Sequence, residues 1–490
     1  MERMSGMDAA FLALETPSTH MHVSVVMIFE LPESAAGSQV PSAHFDRIRQ
    51  VVSERLHLVP QLHRRVARVP FGLNHPVWVE DPAFDLDFHL RRASLPAPGG
   101  PKELAAFVAD VVGRPLDPNR PLWEMHVIEG LGVGHLAVLA KLHHAMIDGV
   151  SGIEVMATFL DPGPMAGTVP APDRPVHRVR VPSDVELLAW AVPTLVRQPE
   201  RALGALRTTL GAMRQLSERN RRLSRQEETD PPPAPFRAPR TSLNGAISSQ
   251  RRFAFLQLPL EDLREVKRAF GGTVNDVVLT TVAGALRRLL AERGEQLEGS
   301  LVAMVPVSTR VANPMATSQS DSGVPALGNK VTSMLVSLGT SIADPVERLG
   351  VIANGSRLAK EQSRVFSEEF IEGWAQLVLP ALSSRAARLV GSLQIFDHVP
   401  PLFNVLVSNV AGPVAPLWCA GAKLVAVYPA GPIVEGVGLN VTVISYTGTL
   451  YMGLVGCREL VPEVEHLALL MSESMSELVK AGRRNEEHGP

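Results

Sequence analysis

The sequence predicts an α/β protein built from two domains of mixed sheet and helices. At 490 residues the chain is longer than one compact core usually supports, so we expect two domains of roughly 200 residues each. Strand-like runs alternate with helical runs in both halves, which indicates mixed α/β structure. A basic, proline-rich stretch between the halves marks the boundary.

The first half begins with strand-like and helical segments in alternation. His20–Leu31 is strand-like, whereas Ser42–Val59 places its apolar residues at helical spacing. Two further β-rich runs, Trp123–Glu129 and Gly134–Leu142, flank a glycine-rich turn and so predict a pair of strands. An apolar helix is predicted over Ile153–Leu160.

The segment between the halves combines leucines at helical spacing with many arginines, which predicts a basic amphipathic helical region. Prolines split this region and end it in an extended linker. We therefore divide the chain into an N-terminal domain over residues 1–182, a helical and proline-rich linker over 183–240, and a C-terminal domain over 241–490. The basic region has two interpretations: a connector packed on the domains, or a surface that also docks on anionic lipid.

The second half opens with a strand over Arg252–Leu260, a helix over Glu261–Phe270 and a long helix that ends at Arg293. Later helices are predicted at Pro345–Gln362 and Val464–Ala481. The β-rich runs between them are Leu301–Ser308, Val331–Leu338, Phe403–Asn409, Lys423–Tyr428, Leu439–Ser445 and Leu450–Cys457.

Composition argues against several classes of protein. A formal net charge of -3 and an aromatic content of 5% favour no nucleic-acid partner. Two cysteines, Cys419 and Cys457, are too few for a disulfide scaffold, so a reducing cytoplasm is expected. The first 15 residues carry charges and lack the apolar core of a signal peptide. Leu424–Tyr446 is apolar but interrupted by prolines, which predicts buried strands.

The segment His143-His144-Ala145-Met146-Ile147-Asp148-Gly149 carries the candidate chemistry. It follows a predicted strand and leads through a turn into a helix, a place where active sites gather. A neutral imidazole has a pKa near working pH, so His144 is able to remove a proton from an attacking alcohol. The alternative is a structural histidine. A metal site is not favoured, because adjacent strand residues point to opposite faces and no complete ligand motif is present.

This segment resembles the HHxxxDG signature of the superfamily that contains chloramphenicol acetyltransferase and peptide-synthetase condensation domains. More closely, the chain resembles bacterial wax ester synthase/acyl-CoA:diacylglycerol acyltransferases. The segments that carry this closer resemblance, in chain order, are Met7–Leu12 with Pro17 and Met21–Val23, Pro121–Trp123, Thr241–Gly245, Asn275–Leu279, Val305–Ser308, Gly328-Asn329 and Ser408–Pro413.

The resemblance implies two chloramphenicol-acetyltransferase-like domains that meet around a tunnel. In it His144 is the general base and His143 supports it, Asp148 holds the motif loop by pairing with an arginine that the sequence does not identify, and Gly149 permits the turn. The substrates implied are acyl-CoA and either diacylglycerol or a long-chain alcohol, with no cofactor and no covalent acyl-enzyme. The absence of a GxSxG sequence agrees with direct transfer.

Three polar residues of the second half are further candidates for the substrate interface. Asn275 and Asp276 are predicted at a helix start, where the plain interpretation is an N-cap, while the resemblance places them near the tunnel. Asn409 closes a strand; it either belongs to an ordinary turn or offers its amide to the developing oxyanion.

Because the implied lipid substrates are insoluble, we expect a cytoplasmic protein that associates peripherally with the inner membrane or lipid droplets. Two other functions stay open: a carrier-protein-dependent acyltransferase of polyketide or peptide lipids, and a catalytically silent lipid-binding protein. The sequence does not determine acyl-chain length, the choice of acceptor, the CoA-binding residues or the oligomeric state.

Overall fold

The structure is a computed structural model that describes residues 2–32, 42–146, 149–165, 167, 182–189, 238–296, 299–308, 331–363 and 400–487. The helices in these ranges are α1 (Gly6–Ala13), α2 (Ser42–Arg55), α3 (Leu86–His89), α4 (Pro101–Val112), α5 (Gly149–Thr158), α6 (Leu260–Phe270), α7 (Val274–Glu292), α8 (Pro345–Ser363) and α9 (Val464–Glu487).

The strands include all the predicted β-rich runs and five that were not predicted: Glu2–Arg3, Arg64–Ala67, Val77–Glu80, Leu90–Ser94 and Trp418–Cys419. In chain order the strands are β1 (Glu2–Arg3), β2 (His22–Glu30), β3 (Arg64–Ala67), β4 (Val77–Glu80), β5 (Leu90–Ser94), β6 (Trp123–Glu129), β7 (His135–His143), β8 (Arg251–Pro259), β9 (Val302–Ser308), β10 (Val331–Ser337), β11 (Val405–Val410), β12 (Trp418–Cys419), β13 (Ala422–Ala430), β14 (Leu439–Tyr446) and β15 (Thr449–Cys457).

The first large sheet has the strand order β12-β13-β2-β7-β6-β5. β2, β7 and β6 are antiparallel neighbours, and β5 lies parallel to β6 at the edge. Most residues of β2 and β7 are buried and most of the buried ones are apolar, which drives the packing of this sheet against its helices. The end of β7 carries the first histidine of the motif.

One face of this sheet holds a buried lysine that anchors α4. Lys141 has no exposed surface, and its ammonium donates to the backbone oxygens of Val111 and Arg114 at 2.9 and 2.6 Å and to Glu124 Oε1 at 3.0 Å. Carbonyls at a helix C-terminus lack partners within the helix and attract cations. Lys141 therefore fixes the end of α4 to the strand that leads to the motif.

The second large sheet has the order β10-β9-β11-β14-β15-β8. β11 lies parallel to both β9 and β14, while the other pairs are antiparallel. α7 crosses the core of this half, and nearly all of its residues after the first turn are buried, so it has no polar face to present to solvent. α9 packs along it.

The two sheets do not divide at the linker. β12 and β13 belong to the predicted C-terminal range 241–490, yet β13 pairs antiparallel with β2 of the first half. Strand patterns show where strands lie but not which strand they pair with, so the sequence does not indicate this exchange. Residues 190–237, most of the predicted linker, lie outside the described residues.

The described start of the linker packs on a small third sheet with the order β1-β4-β3. Leu187 is buried there against Ala67, Val77 and Val79. This contact agrees with the connector interpretation for residues 182–189. In the described ranges no single helix is long and apolar enough to cross a membrane, and the one pair that reaches that length together, α6 with α7, is bent by 100°.

Candidate active site

The two histidines of the motif lie where β7 ends and turns toward α5. His143 is the last residue of β7; it is buried, its backbone N–H donates to Leu122 O at 2.9 Å, and its partner in the neighbouring strand is His22. His144 follows in the turn and is half-buried. The predicted location of the motif at a strand end is therefore confirmed.

The imidazole of His144 is held from two directions. The backbone N–H of His144 donates to Met21 O at 2.8 Å, which holds the turn next to the start of β2. The ring of Phe11, on α1, stacks on the imidazole with centroids 4.4 Å apart and planes 20° apart. A ring packed face to face in this way has little freedom to rotate, so the imidazole edge points in one direction.

Glu15, just after α1, is the charged partner of the histidine pair. Its Oε1 lies 3.1 Å from His143 Nε2 and 3.3 Å from His22 Nε2, and it accepts the backbone N–H of Met21 at 3.2 Å. Among the described residues His143 Nε2 meets hydrogen-bond geometry with no partner, so its approach to Glu15 is a close polar contact rather than a formed hydrogen bond. Burial raises the pKa of the Glu15 carboxyl, but the contacts with His143 and His22 outweigh burial and hold that pKa well below 4.5. Glu15 is therefore a carboxylate at working pH.

Two further histidines line the same place. His20 and His22 alternate at the start of β2, and their rings stack with centroids 5.5 Å apart. Burial lowers the pKa of His22 to about 3, so its ring is neutral. Burial also lowers the pKa of His20. The cluster thus combines the Glu15 carboxylate with the neutral imidazole of His22.

Glu15, His22 and His143 bring three potential metal-binding atoms within 4.8 Å of one another. The hydrogen bonds argue against a metal there. His143 Nδ1 accepts the backbone N–H of Ala145 at 2.9 Å, so in the neutral ring the proton lies on Nε2, the atom that faces Glu15. A metal on Nε2 would leave both ring nitrogens without a proton, whereas a metal-bound histidine normally donates its second N–H. We interpret the cluster as a carboxylate in close polar contact with two imidazoles, each side held by bonds to backbone N–H groups.

The remaining motif residues are only partly described. Asp148 lies outside the described residues, so its predicted pairing with an arginine stays a prediction, and Gly149 is the first residue of α5. The far end of α5 is fixed by Arg55, whose guanidinium donates to Thr158 O at 3.4 Å, to Leu160 O at 3.3 Å and to Asp161 Oδ1 at 2.5 Å. A buried ion pair therefore anchors the helix that the motif starts.

The structure brings two predicted residues of the second half together. The amide Nδ2 of Asn409, near the end of β11, donates to Asn275 Oδ1, in the first turn of α7, at 3.4 Å. The third, Asp276, accepts the N–H and the hydroxyl of Thr273 at 2.8 and 2.7 Å, while Thr273 accepts the N–H of Asp276. This is a capping box whose N-cap is Thr273, so the interpretation of Asn275 and Asp276 as the N-cap and its neighbour is wrong by two residues: they are the second and third residues of α7. The role of Asp276 in substrate binding stays a prediction.

A cavity of about 190 Å³ lies elsewhere, at the outer edge of the first large sheet. Arg91, Arg114, Glu124 and His126 line it, and neither histidine of the motif does. This cavity is not the predicted tunnel, which stays a prediction.

Sequence reasoning missed Phe11, Glu15 and His22 as parts of this site. Phe11 lay within a segment that carried the family resemblance, and His20 and His22 alternate on one strand face, which was the available signal. The contact of Glu15 with His143 joins residues 128 positions apart, and no local pattern indicates it.

Comparisons with known proteins extend over almost the whole chain. Residues 4–278 match the family model of the wax ester synthase/diacylglycerol acyltransferase catalytic domain, and residues 327–479 match that of the WS/DGAT C-terminal domain. A protein of Mycobacterium tuberculosis named as a diacylglycerol O-acyltransferase is 34% identical over 482 residues, covering 98% of this chain and 90% of its own length.

Solved structures show the same similarity. The wax ester synthase/diacylglycerol acyltransferase from Marinobacter aquaeolei VT8 is 29% identical, with a TM-score of 0.67 and coverage of 98% of this chain and 100% of that one. The trichothecene 15-O-acetyltransferase TRI3 from Fusarium sporotrichioides, at 11% identity and a TM-score of 0.55, covers 97% of this chain and 95% of its own, and shares the fold. These similarities confirm the predicted α/β fold class of two acyltransferase-like halves.

Proposed function

Because the chain belongs to the wax ester synthase/diacylglycerol acyltransferase family and is an acyltransferase, we propose that it transfers a long-chain acyl group from acyl-CoA to the hydroxyl of diacylglycerol. The product is then triacylglycerol. A long-chain alcohol offers the same hydroxyl chemistry, so wax ester synthesis is proposed as a second activity. The observation that carries the proposal is the fixed imidazole of His144 at the end of β7.

His144 acts as the general base. Its imidazole takes the hydroxyl proton while the acceptor oxygen attacks the thioester carbonyl. The tetrahedral intermediate then collapses, the carbon–sulfur bond breaks, and the CoA thiolate recovers the proton from His144 as it leaves. Stacking on Phe11 and the backbone bond to Met21 support this role, because a base must be oriented before proton transfer.

Direct transfer agrees with the state of the two cysteines. Cys419 and Cys457 are both buried, and burial raises the pKa of the Cys419 thiol to about 12. The Cys457 thiol donates to Glu459 Oε2 at 3.2 Å. A nucleophilic cysteine needs an accessible thiolate. We therefore assign neither cysteine to an acyl-enzyme intermediate.

We propose that Asn409 supplies a hydrogen bond to the oxyanion. An amide NH₂ carries two hydrogens, and the contact with Asn275 uses one of them to orient the group. The other remains for the substrate oxygen, where a fixed donor stabilises the negative charge of the intermediate. Asn275 then acts by holding Asn409.

We also propose that the enzyme works at a membrane or lipid-droplet surface, because both acceptor and product are insoluble. Co-sedimentation with phosphatidylglycerol-containing liposomes tests the proposal, and a protein that stays wholly in the supernatant contradicts it.

The function is tested by release of free CoA thiol from palmitoyl-CoA, with dioleoylglycerol or hexadecanol as acceptor. We expect acceptor-dependent release that falls about 10²–10⁴-fold in His144→Ala, the range that general-base catalysis supplies. His135→Ala is the matched control, because His135 is an exposed histidine at the opposite end of β7. Product analysis by thin-layer chromatography identifies triacylglycerol or wax ester.

Each other outcome has a definite meaning. Release that His144→Ala does not reduce rejects the general-base role. No release with either acceptor from the folded native protein rejects the proposed substrates, and points to a carrier-bound acyl donor or to lipid binding without turnover.

A further inference from the structure

We propose that Glu15 is a positioning residue whose carboxylate holds the turn after β7 and, through that turn, the orientation of His144. The inference rests on the proposed role of His144 as the base. It goes beyond that role because it assigns a task to a residue outside the HHxxxDG motif and 128 positions before His143.

Three nitrogen atoms converge on one oxygen of the Glu15 carboxylate. Met21 N, His143 Nε2 and His22 Nε2 lie 3.2, 3.1 and 3.3 Å from Glu15 Oε1. An ionised carboxylate accepts the Met21 N–H and attracts the N–H edges of the two rings, whereas an amide would place a donating NH₂ beside its oxygen. The Glu15 side chain retains 31% exposure, so it lies at the edge of the buried cluster.

Met21 connects the Glu15 carboxylate to the backbone of His144. The peptide on the amino side of Met21 donates to Glu15, and the Met21 carbonyl accepts the His144 N–H at 2.8 Å. A single residue thus links the carboxylate to the backbone of the base. Movement of Glu15 displaces the Met21 backbone, and the turn moves with it.

The side chain of His143 also supports the turn after β7. With the proton of His143 on Nε2, facing Glu15, Nδ1 is left to accept the Ala145 N–H at 2.9 Å. The His143 carbonyl accepts the Met146 N–H at 2.9 Å. The Ala145 bond depends on the tautomer of His143, because only an unprotonated Nδ1 accepts it, whereas the Met146 bond joins backbone atoms and does not depend on the tautomer. Glu15 selects that tautomer.

The loop after Glu15 is anchored to the second half of the chain. Ser18 Oγ lies 3.3 Å from Glu435 Oε2, and Arg251 Nη2 donates to Ser18 O at 2.5 Å. Arg251 is buried, so this contact is shielded from solvent. The position of Glu15, and through it that of the His144 turn, therefore depends on contacts with the second half of the chain.

The test is Glu15→Gln, which keeps the shape of the side chain and removes its charge. We expect kcat to fall about 10- to 100-fold, the scale of a misoriented catalytic group, while KM for palmitoyl-CoA changes less than about threefold. Glu30→Gln is the matched control, because it makes the same change at an exposed glutamate at the end of β2. The thermal midpoint of each variant shows that it is folded.

A second measurement does not depend on turnover. In native protein labelled with ¹⁵N-histidine, we expect the neutral form of His143 to be the Nε2–H tautomer and His144 to give one sharp set of ring signals. His143→Gln and His144→Ala assign these signals. In Glu15→Gln we expect the His144 signals to broaden or split, because the ring no longer holds one orientation, and in Glu30→Gln we expect no change.

The outcomes separate this inference from the proposed function. An unchanged kcat in Glu15→Gln, or a loss matched by Glu30→Gln, overturns the inference. If the native protein releases no CoA, the proposed function fails and the spectra alone decide: an Nδ1–H tautomer in native His143, or unaltered His144 signals in Glu15→Gln, overturns the positioning role.

Discussion

The ring of Phe11 lies flat on the imidazole of His144, with centroids 4.4 Å apart. The imidazole becomes a cation when it takes the acceptor's proton, and an aromatic face stabilises a cation by about 0.5–2 kcal/mol. The stack therefore contributes more to the transition state than to the resting enzyme.

We expect Phe11→Leu, which keeps most of the apolar volume, to lower kcat about 3- to 10-fold, the effect of losing about 0.7–1.4 kcal/mol of this stabilisation. Steady-state CoA release measures it. Phe107→Leu is the control, because Phe107 packs edge-on against His126 at 5.6 Å, away from the motif. Equal kcat values for native enzyme and Phe11→Leu would show that the stack is only packing.

The buried ion pair of Arg55 and Asp161 is expected to be important for stability rather than turnover. Both side chains are about 5% exposed. Asp161→Asn leaves the guanidinium without its counter-charge, so we expect the free energy of unfolding to fall by about 3–5 kcal/mol. Urea denaturation measures the loss, and kcat of the folded fraction should stay within about twofold of native.

An exposed pair serves as the control for that prediction. Arg49 and Asp87 are 42% and 63% exposed, so Asp87→Asn should cost less than about 1 kcal/mol. If the two aspartate variants lose equal stability, burial of the Arg55–Asp161 pair has no special role.

Stability is expected to depend on pH through His22. Burial lowers the pKa of His22 to about 3, from 6.5. As pH falls below 6.5 the unfolded chain binds a proton that the folded protein does not, so the free energy of unfolding decreases. From pH 7.5 to 5.0 this site alone should remove about 2 kcal/mol. Urea denaturation at the two pH values measures it.

His22→Gln should remove that part of the pH dependence, whatever its effect at pH 7.5. His135→Gln, at an exposed position, should leave the slope as in native protein. An identical slope in His22→Gln would mean that His22 is protonated in the folded state.

Asn409→Ala is expected to lower kcat about 10²-fold with little change in KM for palmitoyl-CoA, as for the loss of one oxyanion donor. Asn275→Ala should cost less, because Asn409 remains but is no longer held at 3.4 Å. Asn354→Ala, on α8, is the control. A variant of Asn409 that is merely less stable, with native kcat, would assign it to an ordinary turn.

Periodicity predicts the elements well because their apolar patterns are strong. The bounds predicted for β6 agree with the structure, and β7 is displaced by one residue. The location of His144 at a strand end follows from the same pattern. Capping chemistry is local too, yet the N-cap is Thr273 rather than Asn275, because the Thr273 hydroxyl accepts the Asp276 N–H while the Asp276 carboxylate accepts the Thr273 N–H.

The sequence does not predict the tertiary contacts between distant segments. The contact of Glu15 with His143, the stacking of Phe11 on His144 and the pairing of β13 with β2 each join distant segments. Local propensity carries no information on such pairs, because each partner is a common residue type in an ordinary element. Only the folded backbone brings them within contact distance.

The pairing of β13 with β2 also sets the order of events during synthesis. The first large sheet is complete only after residue 430 has left the ribosome, and until then β2 presents unpaired N–H and C=O groups along one side. Synthesis proceeds at about 5–20 residues per second. The edge of β2 therefore stays unpaired while the chain between β7 and β13 is made. A gene cut at the linker would leave the edge open permanently, so splitting this enzyme at its linker should produce an aggregating fragment rather than half an enzyme.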